Sequence, residues 1–161
     1  SLVTGDIRDI NFIDAWVNSE NTNMQMSRYY ELSISGIIRY LGAEKDQNNH
    51  VIDDIIQNEL TSLLNGVLQV QPGTVIMTSA GKLEKTQNVK KIFHVASVQG
   101  QVGSGYKPIP NIERCVKNIS CYSNTNVKNI YFLIRRKSIL KVCRKILDRH
   151  SGLKIDTGNI D

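Results

Sequence analysis

The sequence predicts an α/β protein with a mixed, mostly parallel sheet, on three observations. Short β-branched or apolar runs alternate with amphipathic stretches at helical spacing, in the order expected of strands joined through crossover helices. The run Lys91–Val98, KIFHVASV, is apolar on both faces, as a strand covered from two sides requires. The 161 residues, 40% hydrophobic and 22% charged with only three prolines, suit one ordered domain with a real core.

Residues 2–4 read as the end of a strand, turned at Thr4-Gly5-Asp6. Residues 12–17, FIDAWV, read as the next strand, running out into Asn18-Ser-Glu-Asn21. From Glu31 to Tyr40 a helix is expected, with Leu32, Ile34, Ile37, Ile38 and Leu41 inward and Gly42 closing it. KDQNN is a loop. Val51–Val67 reads as the clearest helix, with apolar residues at helical spacing from Val51 and Ile52 onward and Asn65-Gly66 as its stop. Gln71-Pro-Gly73 is a turn before the β-branched strand Thr74–Thr78. QGQVGSGYKP reads as a glycine-rich loop, followed by a helix over Asn111–Ser120, a strand at about 128–134, a helix over 138–147 and a frayed tail from 151.

Composition narrows the function classes. Cys115, Cys121 and Cys143 make an odd count without paired spacing, which argues for free thiols in a reducing compartment and a cytoplasmic location. His50, His94 and His150 stand far apart and near no cysteine pair, so no metal site is expected, and no apolar run reaches the ~18 residues that span a bilayer. The net charge of +5 is concentrated between Lys128 and Arg149, with eight basic residues against Asp148 alone. Such a face (Lys137–Arg149 above all) is either solvated or attracts nucleic acid.

In sheets of this kind ligands lie where strand carboxyl ends open into loops, which selects Asn18–Tyr30, Ser79–Lys82 and Val98–Tyr106. The amides of Asn18 and Asn21 can hold a ribose hydroxyl pair, or can cap the following turn. Asp6 can accept from an adenine amino group, or begin a turn. Gly100, Gly103 and Gly105 fit neither a Walker loop nor a dinucleotide fingerprint. His94, inside a strand, reads as a satisfied core histidine, and no hydrolase triad or acid pair stands at a telling spacing.

In order, Gly5-Asp6-Ile7, Asp14-Ala-Trp-Val-Asn18-Ser-Glu-Asn21, Ile34-Ser-Gly36-Ile-Ile38 to Gly42, Pro72-Gly-Thr74 with Thr78-Ser-Ala-Gly81, and Ile92-Phe-His-Val95 resemble a macro domain, the ADP-ribose-binding family. The resemblance covers most of the chain, and its specific part is the pair GDI and DAxVNxxN. It implies a three-layer α/β/α fold with a central mixed, mostly parallel sheet in a single domain spanning residues 1–161. It also implies that Asp6 meets the adenine amino group with Ile7 beside the ring, and that Asn18 and Asn21 lie near the distal ribose. Residues 22–36 would be the first diphosphate loop, with Ser27, Arg28, Ser35 and Gly36 near phosphate, and Arg135 would stack on adenine.

Two departures stand out. Where active relatives carry a glycine run, this chain has Met24-Gln-Met-Ser-Arg-Tyr-Tyr-Glu31, and Ser35 replaces an aspartate frequent in hydrolytic members. Only CYSNTN separates Ser120 from Val127, where the family has a further β–α unit. Either the protein lacks that unit or residues between about 115 and 127 are missing from these 161; the strand edges its loss would expose favour the second. The expected function is a module that binds ADP-ribose, a related adenine nucleotide or an NAD-derived metabolite without a cofactor, as sensor or reader. Its partner is a free nucleotide or an ADP-ribosylated target. The alternatives are an ADP-ribosyl hydrolase or ADP-ribose phosphate phosphatase, whose catalytic residues the sequence does not name, and a nucleic-acid or protein interaction domain using the basic helix.

Overall fold

A computed structural model of the chain describes residues 2–101, 103, 105–109, 114–115, 118–119, 132–133 and 157–159. The chain divides into two compact units, one of Ser1–Asn11 with Thr125–Asp161 and one of Phe12–Asn124.

The smaller unit holds β1 (Leu2–Thr4), paired in parallel on one side with β8 (Phe132–Leu133) and on the other with β9 (Thr157–Asn159). The expected end of a strand at 2–4 is present, and so is a strand within 128–134. Residues 157–159, expected as part of a frayed tail, instead pair as a strand with β1. A 3₁₀ turn at Ile7–Asp9 follows β1.

The larger unit is built on β2 (Ala15–Asn21), β5 (Val75–Ser79), β6 (Lys91–Gln101) and β7 (Gly105–Pro108). Among the described residues β6 is central: β2 runs parallel to it, while β5 and β7 run antiparallel, so the sheet is mixed. Register sorts the side chains onto two faces. Ala15, Phe93, Val95, Val75 and Met77 lie on one, packed with Ile109, Cys115 and Ile119, the last two from a helical turn after the hairpin. Trp16, Asn18 and Glu20 lie on the other with their partners Ile92, His94 and Ala96. The double-sided burial expected of KIFHVASV is therefore real: residues 92–97 are all buried.

Helices α1 (Ile34–Gly42) and α2 (Ile55–Leu64) pack on the second face, with Ile38, Ile56 and Leu60 fully buried. Two glycines set their approach. A Cβ on Gly42 would meet Ile56 Cδ1, and one on Gly81 would meet the Gly42 carbonyl, with Gly81 already at φ +54. A short helix α3 (Leu83–Gln87) leads into β6.

Four local expectations need correction. The strand expected at 12–17 runs from Ala15 to Asn21, because polar residues 18 and 20 continue the inward alternation of Trp16. The helix expected from Val51 begins only at Ile55. Val51–Asp53 forms strand β4, antiparallel to β3 (Glu44–Lys45), and Ile52 is exposed. Its predicted stop is correct, with Asn65 left-handed at the C-cap. Helix α1 starts at Ile34 with Ser33 as N-cap, and Leu32 is 80% exposed rather than inward. The stretch 98–108 is a β-hairpin rather than a glycine loop, with Gly103 and Gly105 at positive φ in its turn. The expected helix over 138–147 and the segment 120–127, where a β–α unit was expected, lie outside the described residues.

Candidate functional site

The larger unit carries a continuous chain of buried polar side chains. Thr78 Oγ1 lies 3.0 Å from His94 Nε2, and His94 Nδ1 lies 3.1 Å from Glu20 Oε1. Asn18 Nδ2 donates to that same Glu20 oxygen at 2.5 Å and to Ser35 Oγ at 3.2 Å. Ser35 Oγ also accepts from the Ser27 amide at 3.0 Å. The chain thus runs from β5 through β6 and β2 to the start of α1 and the loop before it.

Proton counting fixes its polarity. The Thr78 hydroxyl donates to the Ser79 carbonyl at 2.9 Å, so it must accept from His94 Nε2–H. The connectivity is that of a hydroxyl–imidazole–carboxylate triad, but Thr78 is 1% exposed, His94 0% and Glu20 2%. A nucleophile that no substrate reaches performs no chemistry. His94 is the satisfied core histidine the sequence suggested, and the low-dielectric surroundings make the chain a specific fastener between strands.

Asn21 ends β2, where the chain leaves the sheet into a strap, residues 22–32. Its amide is committed locally: Oδ1 accepts from the Asn23 amide at 2.8 Å, and Nδ2 donates to the Gln25 carbonyl at 3.3 Å. Met24 follows in the left-handed region at φ +52, and its side chain is 0% exposed. Met26 is buried as well, its amide donating to Gln57 Oε1 of α2 at 3.1 Å.

Arg39 of α1 grips the strap from below. Its Nη1 donates to the carbonyls of Met26 and Ser27 at 3.2 and 3.1 Å. Its Nε and Nη2 reach Asp54 Oδ2 at 2.7 and 2.6 Å. Asp54 precedes α2 without capping it by side chain, because its carboxylate is turned to Arg39. Gly36 lets the strap cross the helix start: a Cβ there would lie 2.4 Å from the Glu31 carbonyl oxygen and 2.7 Å from that of Arg28. Outside this grip Arg28, Tyr29 and Tyr30 are exposed. Arg28 Nη1 donates to the Tyr30 hydroxyl at 2.8 Å, a bond that raises the guanidinium pKa further.

The smaller unit carries two further candidates. Asp6, in the smaller unit, caps its 3₁₀ turn, accepting from Arg8 through the amide (2.9 Å), Nε (2.9 Å) and Nη2 (2.6 Å), and Ile7 is buried in that turn. Arg135 and the Lys137–Arg149 face lie outside the described residues. Among the described residues no group of three or more His, Cys, Asp or Glu could hold a metal, and no helix is long and apolar enough to cross a membrane. Sequence reasoning passed over Glu20, Arg39, Asp54 and Gln57. Glu20 was findable by carrying the period of two on from Trp16 and Asn18; the strap's contacts with α1 and α2 carry no local signal.

Solved structures supply the comparison. The chain resembles a variant of the Oceanobacillus iheyensis macrodomain with ADPR at a TM-score of 0.57 and 12% identity, over 92% of this chain and 91% of that one. The fold is that of a macrodomain. A second variant of the same macrodomain gives a TM-score of 0.54 at 13% identity, covering 92% and 90% of the two chains. The form with MES bound gives 0.52 at 13%, covering 99% and 84%. No protein-family model and no curated protein matches the sequence. At these identities the likeness is one of macrodomain architecture, and the residues that differ decide what this version of it does.

Proposed function

We propose that the protein is a binding module for ADP-ribose or a related adenine nucleotide or NAD-derived metabolite, acting as a sensor or reader rather than a hydrolase. The observation that carries this reading is the likeness, along nearly the whole chain, to a macrodomain with ADPR. The local geometry is compatible with it: β2 runs parallel to β6, and its carboxyl end at Asn21 opens into a loop beside Val98, where a ligand of such a sheet would lie. The ligand is either the free nucleotide or the same group attached to a modified protein.

Against hydrolysis stands Ser35. Its Oγ accepts from Asn18 and Ser27, and even with the Ser27 amide withdrawn a hydroxyl is a poor general base. The Glu20–His94 pair is sealed in the core. Calorimetric titration with ADP-ribose, AMP and NAD tests the reading. Saturable heat with ADP-ribose, weakened in Asn21→Ala, is expected, with no release of ADP-ribose from a modified substrate. Absence of heat with all three ligands contradicts it.

A further inference from the structure

Most groups of the larger unit that the resemblance assigns to a ligand are engaged by the protein's own strap or core; the exceptions are the Asn18 side-chain oxygen, buried without a hydrogen-bond partner, and the exposed Arg28. Asn21 serves Asn23 and Gln25, Ser35 serves Ser27 and Asn18, and Gly36 lies beneath the carbonyls of Arg28 and Glu31. Met24 accepts a backbone conformation that glycine adopts more easily, and its side chain is wholly enclosed.

We infer that residues 22–32 are a self-occupying strap, with Met24 and Met26 as its plugs and the Arg39–Asp54 pair as its latch, so that a ligand enters only when the strap lifts. This rests on the proposed nucleotide reading for the ligand's identity, but not for the strap's motion.

The parts have distinct duties. Arg39 holds two strap carbonyls with one guanidinium nitrogen and is itself oriented by Asp54 through two others, a fork that lysine cannot reproduce. Gln57 and Ser35 take the strap amides of Met26 and Ser27. Each of these partners is a polar group that water or ligand oxygens can replace once the strap moves. The methionines are unbranched and deform readily, which suits a plug that must leave and return. A site closed in this way binds with an apparent affinity reduced by the fraction of molecules in the open state.

Hydrogen exchange on the full chain, with and without Arg39→Lys, tests the latch directly. The amides of Asn23, Met24, Met26, Ser27 and Glu31, all bonded in the structure, should exchange about tenfold faster or more in the variant, with β2 and β6 unchanged. Unchanged strap exchange, or acceleration spread evenly over the strands, overturns the latch. Met24→Gly provides a second route, since it relieves the positive φ and removes the plug. It should bind ADP-ribose at least about threefold more tightly than the native chain, and equal or weaker binding overturns the plug. If the strap opens in Arg39→Lys but no protein binds ADP-ribose, the strap stands and the nucleotide reading falls. If ADP-ribose binds and neither variant changes strap exchange or affinity, the reading stands and the strap falls.

Discussion

Asn18 and Asn21 stand three residues apart on one strand, carry the same amide, and use it in opposite ways. Asn18 is enclosed, its nitrogen bound to Glu20 and Ser35. Asn21 is half-buried at the strand end, its amide folded back on the strap it launches. The difference extends to their surroundings. The Asn18 row fastens three strands and a helix through partners that nothing from solvent can replace. The strap is held by partners that a ligand's hydroxyls or phosphates could match one for one. Burial makes the hydrogen bonds of the first region permanent, although Asn18 Oδ1 has no partner, whereas the strap's bonds are the ones that the inferred opening exchanges.

The largest effect should come from breaking the row. Glu20→Ala leaves His94 Nδ1 and the Asn18 amide nitrogen without their partner in the core, and chemical denaturation should show a loss of about 3–5 kcal/mol. A loss near zero would mean the row is not a fastener. Next comes Gly36→Ala, which thrusts a methyl into two strap carbonyls. Unfolding should shift by about 1–3 kcal/mol, with the strap displaced more than the strands, as proteolysis after Arg28 would reveal.

Ser35→Ala touches both regions, removing the acceptor for Asn18 and for Ser27. A cost of about 1–2 kcal/mol is expected, and the faster exchange of the Ser27 amide should exceed any change at His94. At the bottom of the scale, Lys90→Ala removes an exposed ion pair with Asp14, and the denaturation midpoint should not move.

What the sequence made legible follows the same division. Alternation of apolar runs was enough for the α/β class, for β6 buried on both faces and for the end of α2 at Asn65-Gly66, because burial and turn chemistry are written locally. The start of α2 was not, since Val51 and Ile52 keep helical spacing with Ile55 and Ile56 while pairing as a strand with Glu44–Lys45. The deciding residue was Asp54, whose carboxylate answers Arg39 from fifteen residues away. The pattern DAWVNSEN marked a strand but did not say which side chains turn inward. A period of two carried through Glu20 resolves that on paper. The grip of α1 and α2 on the strap depends on contacts across the fold, and no local pattern carries it.

The most direct measurement is native-state hydrogen exchange of the unmodified chain, comparing the strap amides of Met24, Met26 and Ser27 with those of Val17 and Ser19 in β2 and Val95 in β6. The strap should open with a free energy well below that of the strands, in a local event insensitive to low denaturant. Equal protection of both sets, lost together in one global transition, would contradict the account.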